Sequence, residues 1–432
     1  MSPTRSRSAG KRLDAATAAH VYRRAGFGAD LERREGATDL DAVLADLFER
    51  REHDALYTRG VSALLSLEDV ERLQAWWMSL ILRDRAPLVE RVALLWHDHF
   101  ATSNDKVLDV RLMHAQVQLF RDHGLGDFRE LLHAVAKDPA MLVWLDGNAN
   151  RSGHPNENFA REVLELFGLG IGNYDERDVQ EAARAFSGWG VDGRRFVNRE
   201  HFHDDSTKEV LGTRGALDGD DVVDLVLAHP ACARHVARTL LAEFAVPEPS
   251  NAEVAEWARV LKRVDWSVER FLEQLFRSDL FLGPASRRAR IAGPVELTAT
   301  TLITLGVADQ VAPADVAEAC GEMGQSLYRP PSVKGWDGGR TWVHAGTWLA
   351  RHNRFSGLAQ AHGERVDLST SFGADVDTPQ LADAACALLL PDGADAPLRE
   401  ALARAAQEAK TDDDALRDVT ALLLTAPEYH LI

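Results

Sequence analysis

The segment Pro87-Leu88-Val89-Glu90-Arg91-Val92-Ala93-Leu94-Leu95-Trp96 carries the pattern that decides the fold. Proline suits the first turn of a helix, and the apolar residues after it recur at helical spacing. The same spacing runs through most of the 432 residues, whereas short β-branched runs joined by Asn-Gly turns are missing. The sequence therefore predicts an all-α protein, a large irregular multi-helix bundle of roughly fifteen to eighteen helices with long polar loops.

Composition and charge exclude two classes of protein. The chain has 49 Lys and Arg against 67 Asp and Glu, a net charge of −18, which is unlike the basic surface that binds nucleic acid. A membrane span needs about 20 consecutive apolar residues. The best candidate, residues 76–82, is bounded by Arg72 and Arg83. We expect a soluble acidic protein with no nucleic-acid partner and no membrane span.

The beginning of the sequence bears on domains and location. Residues 1–12 are rich in Ser, Arg and Lys and contain no acidic residue, which predicts a basic disordered tail. A secretory signal would continue with an apolar core of about 7–15 residues, but an amphipathic helical pattern follows. The expected location is therefore cytoplasmic. Residues 13–432 are predicted to form one helical domain, or two sub-lobes at 13–215 and 216–432.

Helical spacing gives way to polar, Gly-, Pro- or Trp-rich sequence in four stretches, namely 97–107, 146–158, 187–219 and 324–342. Long connections inside a compact domain are often functional. Side chains that could carry chemistry are therefore expected in these stretches.

The first stretch contains the pair His97 and His99. Histidine serves as a metal ligand or as an acid–base group, and an extended His-x-His pair would place both rings on one face. The alternative is structural. One ring would then be favoured by the dipole at a helix C-terminus, and the other would be a hydrogen-bonded core ring.

The second stretch leads into a charged helix. Glu157 and Arg161, and then Arg161 and Glu165, are four residues apart and so share one helical face. Glu162 falls on a neighbouring face that is largely apolar, where a carboxylate must be paired or bind a ligand. The alternative is a solvated ladder of salt bridges.

The third stretch includes His203, Asp204 and Lys208 in a predicted loop. Mixed His and Asp loops suit divalent metals. The alternative is an ordinary polar turn.

The fourth stretch combines aromatic and basic residues around Pro330-Pro331 and Gly338-Gly339. Its side chains could line a pocket for an anionic or sugar-like ligand. The residues concerned are Arg329, Lys334, Trp336 and Arg340. The alternative is a rigid connector whose tryptophans anchor it to the core.

Together these motifs resemble the bacterial DUF1800 family, a domain of unknown function. The resemblance covers residues 13–432 and rests on motifs in the family's order. They are Arg23-Arg24-Ala25-Gly26-Phe27-Gly28, Trp96-His97-Asp98-His99-Phe100, Pro155-Asn156-Glu157-Asn158-Phe159-Ala160-Arg161-Glu162, Ala183-Arg184-Ala185-Phe186-Ser187-Gly188-Trp189, Phe202-His203-Asp204 with Lys208, Pro330-Pro331-Ser332-Val333-Lys334-Gly335-Trp336, and Leu424-Thr425-Ala426-Pro427-Glu428-Tyr429.

The resemblance implies a mostly helical fold but no established reaction. Members often carry an export signal and are often encoded near a second family, DUF1501, which looks like sulfatases or alkaline phosphatases. This sequence lacks such a signal, so the alternative to a cytoplasmic location is export in folded form with a signal-bearing partner. The resemblance also favours one shared site for the motif residues over a buried polar network that only specifies structure.

Two hypotheses of function follow. The first is an enzyme that acts on an anionic or glycan-like substrate, either with a divalent metal (Fe, Mn or Zn) or with a metal-free Glu/His acid–base pair. The second is a non-enzymatic binding or assembly partner of a DUF1501-like protein.

The enzyme hypothesis assigns each candidate residue a role. The expected catalytic residues are His99, Glu157, Arg161, Glu162, His203 and Lys334. The expected metal ligands are His97, His99, Glu162, His203 and Asp204. The expected substrate-binding residues are Lys208, Arg329, Lys334, Trp336 and Arg340.

Overall fold

Helices dominate the computed structural model, which describes residues 13–37, 39–50, 55–373 and 376–432. About 63% of the chain is helical, so the prediction of a mostly helical protein is confirmed. The finer description, a large irregular bundle with long polar loops, stays a prediction. The predicted tail at 1–12 lies outside the described residues.

In the described part of the first third of the chain, every regular element is a helix. Its α-helices are Ala15–Ala25 (α1), Leu31–Gly36 (α2), Leu40–Phe48 (α3), Ala55–Leu65 (α4), Val70–Arg83 (α5), Pro87–His99 (α6), Asn104–Val107 (α7), Val110–His123 (α8), Phe128–Ala136 (α9) and Pro139–Trp144 (α10). A short 3₁₀-helix follows at Gly147–Ala149.

The middle of the chain holds the strands. Its elements are Glu157–Glu162 (α11), a π-helix at Val163–Leu169, Glu176–Ala185 (α12), Trp189–Asp192 (β1), Arg195–Asn198 (β2), a 3₁₀-helix at Glu200–Phe202, Lys208–Val210 (β3) and Thr213–Gly215 (β4).

The remainder is helical again. Its α-helices are Gly219–Ala228 (α13), Pro230–Phe244 (α14), Asn251–Arg263 (α15), Val268–Phe276 (α16), Asp279–Leu282 (α17), Pro294–Thr304 (α18), Pro313–Glu322 (α19), Ala345–Gln360 (α20), Thr378–Leu389 (α21), Ala396–Glu408 (α22) and Asp412–Thr425 (α23). Two 3₁₀-helices lie at Gly339–Val343 and Pro427–His430.

Two antiparallel hairpins, β1–β2 and β3–β4, occupy the segment 187–219 that was predicted to be a loop. Their turns are Gly193-Arg194 and Leu211-Gly212, with positive φ at Gly193, Leu211 and Gly212. Two-residue hairpin turns need positive φ at one or both central positions, and Asn-Gly is only one sequence that meets this need. The absence of Asn-Gly was therefore a poor guide to the absence of hairpins.

Side-chain caps fix many of the helix starts. Asp175 caps α12 in a reciprocal capping box with Asp178, as its position before the helix predicted. The run Ser66-Leu67-Glu68-Asp69 predicts a helix from Ser66, with an N-cap and acidic residues in the first turn. The helix begins later, because Asp69 accepts the hydrogen bond from the Arg72 N–H while Glu68 has a left-handed φ of 52°. A single capping residue thus sets the start of α5.

The centre of the molecule is built around two buried helices, α6 and α18. Every residue of α18 is buried, and in α6 only Asp98 and His99 are not. The buried apolar side chains form one cluster that includes Val21 and Ile432. Residues of both predicted sub-lobes contribute to this cluster, and the division itself stays a prediction.

Two adjacent arginines tie α1 to distant segments. Arg24 is completely buried and donates to the carbonyls of Phe244 (3.1 Å), Ala245 (2.7 Å) and Ile432 (3.3 Å). Arg23 donates to the carbonyls of Leu389 and Tyr429. The C-terminal carbonyls of a helix lack partners within the helix, so Arg24 caps the end of α14. The Arg-Arg motif is therefore a clamp between segments.

Among the described residues, no helix has both the length and the apolar character required to cross a membrane.

Candidate functional site

The charged helix of the second stretch changes type in its middle. An α-helix was predicted over 157–167, but α11 ends at Glu162 and the π-helix follows. Gly168 lies where α13 packs closely, since a Cβ there would be 2.2 Å from Cγ1 of Val226. Single π-helical turns are rare and occur frequently at functional sites. Glu162 stands directly at this transition.

Two histidines from other helices cap the end of the π-helix. Nε2 of His99 is 3.4 Å from the Phe167 carbonyl oxygen, and Nε2 of His235 is 2.7 Å from that of Leu166. Because a carbonyl oxygen only accepts, each Nε2 carries the hydrogen and each Nδ1 keeps its lone pair. Burial lowers the pKa of His99 to about 3, so this ring is neutral at physiological pH.

His97 is enclosed in the core. Its Nε2 accepts the backbone N–H of Tyr328 at 3.0 Å, and its ring contacts Trp77 and Trp336. Burial lowers the pKa of His97 to about 3. A metal could bind Nε2 only if this hydrogen bond broke, so the geometry fits the alternative of a hydrogen-bonded core ring better than the predicted metal ligand.

Glu157 and Arg161 lie in an exposed ladder of salt bridges. Arg161 donates to Glu157 at 3.1 Å and to Glu176 at 2.8 and 2.9 Å, and the Glu176 side chain is 70% exposed. Their predicted catalytic roles have no support from this placement, since the charges satisfy one another at the surface. This matches the alternative stated for the second stretch.

Glu162 differs from these neighbours. Its carboxyl is partly exposed and makes no hydrogen bond or ion pair with any described residue. Burial, reinforced by the adjacent Glu165 carboxylate, raises the pKa of Glu162 to about 7, while Arg161 and Lys334 act in the opposite direction. The group can therefore either give or take a proton near neutral pH.

His203, Asp204 and Lys208 organise their own loop. Nδ1 of His203 is 2.9 Å from the Ser187 carbonyl oxygen, and Asp204 pairs with Arg184 at 2.8 Å. The Lys208 ammonium, with the residue only 1% exposed, donates to the carbonyls of Asp204, Ser206 and Leu217. These bonds occupy all three N–H donors, so Lys208 is placed as a structural residue and not where a substrate-binding residue would be.

The candidate residues of the fourth stretch, 324–342, have different surroundings from one another. Arg329 pairs with Glu71 and Asp105, each at 3.1 Å. Trp336 is buried against His97, as the connector alternative states, and Arg340 is exposed. Lys334 is exposed and lies within electrostatic range of another candidate, Glu162.

Asp98 belongs to the site although it was not among the predicted residues. Its Oδ1 accepts the Trp336 N–H at 2.7 Å, while Oδ2 has no partner among the described residues and is not enclosed. Burial raises the pKa of Asp98 to about 7. Its position between two candidate histidines was an available signal.

A buried ion-pair network lies next to Asp98. Arg91 and Arg290 bind Glu243 at 2.5 and 3.5 Å, and both also pair with Glu296. The side chains of Arg91 and Glu296 are 2% and 3% exposed, but those of Glu243 and Arg290 are 20% and 15% exposed. The network therefore opens on one side.

We use the name crevice for a group of five side chains that all keep some exposure: Asp98, Glu162, Glu243, Arg290 and Lys334. Asp98 interacts electrostatically with Glu243 and Arg290, and Glu162 with Lys334. Segment 332–337 connects these two sets of interactions. Lys334 interacts with Glu162, and the N–H of Trp336, two residues later, donates to Asp98. Burial acts to raise the pKa of each of the three carboxyl groups, and each side chain keeps some exposure.

The predicted metal ligands do not come together. Within the described ranges, no group of three or more His, Cys, Asp or Glu side chains could hold a metal ion. His97 contacts the segment around Tyr328, whereas His203 and Asp204 contact Ser187 and Arg184. Metal binding stays a prediction that the placement of these residues does not support.

The raised pKa of Asp98 gives a prediction about stability. Its pKa is about 7 in the folded protein and near 3.8 in the unfolded chain, so folding takes up a proton between these values. The carboxyl therefore destabilises the fold increasingly as pH rises from about 4 to about 7. Asp98→Asn keeps an oxygen for the Trp336 N–H but does not ionise.

We expect urea unfolding to show Asp98→Asn gaining stability relative to wild type as pH rises through this window. The neighbours Glu243, Arg290 and Asp337 are the same in both proteins, so their own titration largely cancels. A difference that stays constant with pH would contradict the prediction.

Comparison with known proteins defines the family. A model of the family described as Protein of unknown function (DUF1800) matches residues 20–431. The chain belongs to the DUF1800 family. No curated protein and no solved structure matches the chain. The DUF1800 match spans both the crevice and the clamp formed by Arg23 and Arg24, so both are features of the family's domain in this chain.

Proposed function

We propose that the protein is an enzyme in which Glu162 transfers a proton to or from an anionic or glycan-like substrate, and Lys334 holds the anionic group. The single observation that carries the proposal is the Glu162 carboxyl. It is half-buried, has no hydrogen-bond or ion-pair partner among the described residues, and stands at the α-to-π transition beside Lys334.

The electrostatics of Glu162 suit this role. A general acid or base works best when its pKa is near the operating pH, and the pKa of Glu162 is raised to about 7. Lys334 is exposed, so an incoming anion can reach its ammonium. The chemistry suits cleavage of an ester or a glycosidic bond, in which a leaving oxygen must receive a proton.

The test is hydrolysis of a panel of chromogenic esters, phosphate and sulfate esters and glycosides, each with the wild type and with Glu162→Gln. We expect turnover of at least one class, and a fall in kcat of about 100-fold or more in Glu162→Gln, the usual contribution of a general acid or base. Glutamine has the same shape but cannot exchange the proton.

Glu176→Gln is the matched control. Glu176 is an exposed glutamate that binds Arg161 near the same helix, so its loss tests a change of charge without touching the crevice. We expect unchanged turnover. Equal activity in wild type and Glu162→Gln would overturn the proposal, as would inactivity of the wild type on every substrate.

The same assay distinguishes the metal-dependent form of the enzyme hypothesis from the metal-free form. Turnover that survives exhaustive dialysis against a chelator is expected if side chains alone carry out the proton transfer. Loss of turnover that returns on addition of Fe, Mn or Zn would favour the metal-dependent form instead.

A role as partner of a DUF1501-like protein, a cytoplasmic location, and export together with a signal-bearing partner all rest on the sequence and the family resemblance. They stay predictions.

A further inference from the structure

A cavity of about 500 Å³ lies between the end of the π-helix, the loop that follows it, and helices α14 and α15. Small-molecule sites measure about 300–1,000 Å³, so this volume suits a small ligand. Glu165 and Leu169 line the cavity from the π-helix, and Ala231 and Val254 line it from α14 and α15. None of the five crevice side chains is among the described residues that line it. The cavity is therefore a second candidate site.

Most of the cavity lining is apolar, and the apolar side chains are aliphatic. They are Leu166, Leu169, Ile171, Ala231 and Val254. No Phe, Trp or Tyr is among the described lining residues, so a flat ring such as a nucleobase finds no such side chain to stack on. Burial of an aliphatic chain is non-directional and needs no partner of fixed geometry. The lining therefore favours an aliphatic ligand.

The loop at the edge of the cavity presents an isoleucine to solvent. Ile171 is 78% exposed and stands between Gly170 and Gly172, which have φ values of 77° and 85°. The Asn173 amide donates to the carbonyls of Leu169 (3.0 Å) and Gly170 (3.3 Å) and so holds the loop in this shape. An aliphatic chain in the cavity would cover part of the Ile171 side chain, which favours binding.

Two arginines bring positive charge to the cavity. Arg234 and Arg238 both line it and are four residues apart, so they share one face of α14. Arg234 has no hydrogen-bond or ion-pair partner among the described residues, and Arg238 donates only to neutral oxygens, the Pro249 carbonyl (3.2 Å) and Oδ1 of Asn251 (2.8 Å). Like charges at this spacing repel each other. An anion between the two guanidinium groups would remove this repulsion.

The other lining residues set the charge of that anion. Glu165 contributes one carboxylate, whose Oε2 accepts the Tyr174 O–H. His235 is neutral at physiological pH, because burial lowers its pKa. Two guanidinium groups and one carboxylate leave a single positive charge, which a monoanion neutralises. A carboxylate is a monoanion, and its two oxygens match the planar donor geometry of arginine.

We propose that this cavity binds an aliphatic carboxylate. The carboxylate lies between Arg234 and Arg238, and the chain lies against the aliphatic side chains of the lining. The proposal concerns a second site and does not depend on proton transfer by Glu162. The ligand nevertheless lies beside the π-helix, because His235 lines the cavity and its Nε2 donates to the Leu166 carbonyl at 2.7 Å.

The test is a ligand-observed NMR titration of the full chain near neutral pH with octanoate, acetate, 1-octanol and octylamine. Octanoate combines the negative charge with the aliphatic chain. Acetate lacks the chain, 1-octanol lacks the charge, and octylamine carries the opposite charge on the same chain. We expect octanoate to bind with a Kd of about 1 mM or tighter, and each of the other three probes to bind at least about tenfold more weakly.

Two variants test the two parts of the site. Arg234→Gln should weaken octanoate binding about tenfold or more, the effect of losing a hydrogen bond to a charged group. Because Arg234 has no partner within the described part of the chain, this change removes no contact that holds the fold. Ala231→Leu places a larger side chain in the cavity and should also weaken octanoate binding.

Arg404→Gln is the charge-matched control. Arg404 lies on α22 with its side chain 61% exposed, so we expect this variant to bind octanoate as the wild type does. Glu162→Gln should also bind octanoate unchanged, which distinguishes failure of this proposal from failure of the proposed function.

The proposal is overturned if octanoate does not bind. It is equally overturned if acetate, 1-octanol or octylamine binds as tightly as octanoate, or if folded Arg234→Gln binds octanoate as tightly as the wild type does.

Discussion

Arg91→Met is expected to lower the free energy of unfolding by about 3–5 kcal/mol, the usual effect of removing one partner from a buried ion pair. Arg91 is 2% exposed and binds both Glu243 and Glu296. Methionine fills much of the space but leaves the Glu296 carboxylate, itself 3% exposed, with Arg290 as its remaining ion-pair partner and the Gly293 N–H as a hydrogen-bond donor. Guanidinium chloride unfolding followed by tryptophan fluorescence measures the change.

Arg404→Met provides the comparison. Arg404 lies 3.8 Å from Glu400 in α22, with both side chains more than 60% exposed, and exposed pairs contribute about 0–1 kcal/mol. We expect its unfolding curve to overlay that of the wild type within this range. A similarly small effect of Arg91→Met would mean that the network contributes little to the fold.

Gly335→Ala is expected to lower the free energy of unfolding by about 3 kcal/mol or more. Gly335 has a φ of 77°, and a Cβ there would lie 2.1 Å from Oδ1 and 2.5 Å from the backbone oxygen of Asp98. A positive φ adds about 1–3 kcal/mol of strain in other residues, and overpacking adds about 1–3 kcal/mol. Because α6 is buried from Pro87 to His97, we expect segment 332–337 to move and the Trp336 N–H to leave Asp98.

Gly339→Ala tests the backbone strain of a positive φ without a steric clash of the alanine Cβ. Gly339 also has a positive φ, 54°, but no atom lies within 4 Å of its Cβ position. Both variants therefore carry backbone strain, and only Gly335→Ala displaces Asp98. If the two variants lose equal stability in the same unfolding measurement, close approach to Asp98 is not what requires glycine at position 335.

Local sequence predicted the helices well, because capping and apolar spacing act over a few residues. Pro87 and Asp175 stand where the structure starts α6 and α12. The π-helix after Glu162 was not predictable in this way, since the close packing of Gly168 on Val226 joins residues 58 positions apart.

The site was harder to predict than the fold. Sequence patterns singled out Glu162 and Lys334 as candidates, and the alternative of a solvated ladder of salt bridges described the surroundings of Glu157 and Arg161. Asp98 could have been predicted as a candidate from the sequence, because it stands between His97 and His99. No local sequence pattern identifies Glu243 and Arg290 as candidates. They belong to the crevice only because α14 and the segment before α18 meet α6 in space.

The clamp at Arg23 and Arg24 has a consequence for folding during synthesis on the ribosome. Arg24 bonds to Ile432, which is 408 residues later in the sequence, and Arg23 bonds to Tyr429. The bonds of Arg24 to Ile432 and of Arg23 to Tyr429 therefore form only after residues 427–432 have left the exit tunnel, whereas the bonds of Arg24 to Phe244 and Ala245 can form earlier. At about 5–20 residues per second, translation delays the bonds to Ile432 and Tyr429 by about 20–80 seconds after α1 is synthesised, and a chaperone has time to bind in this interval.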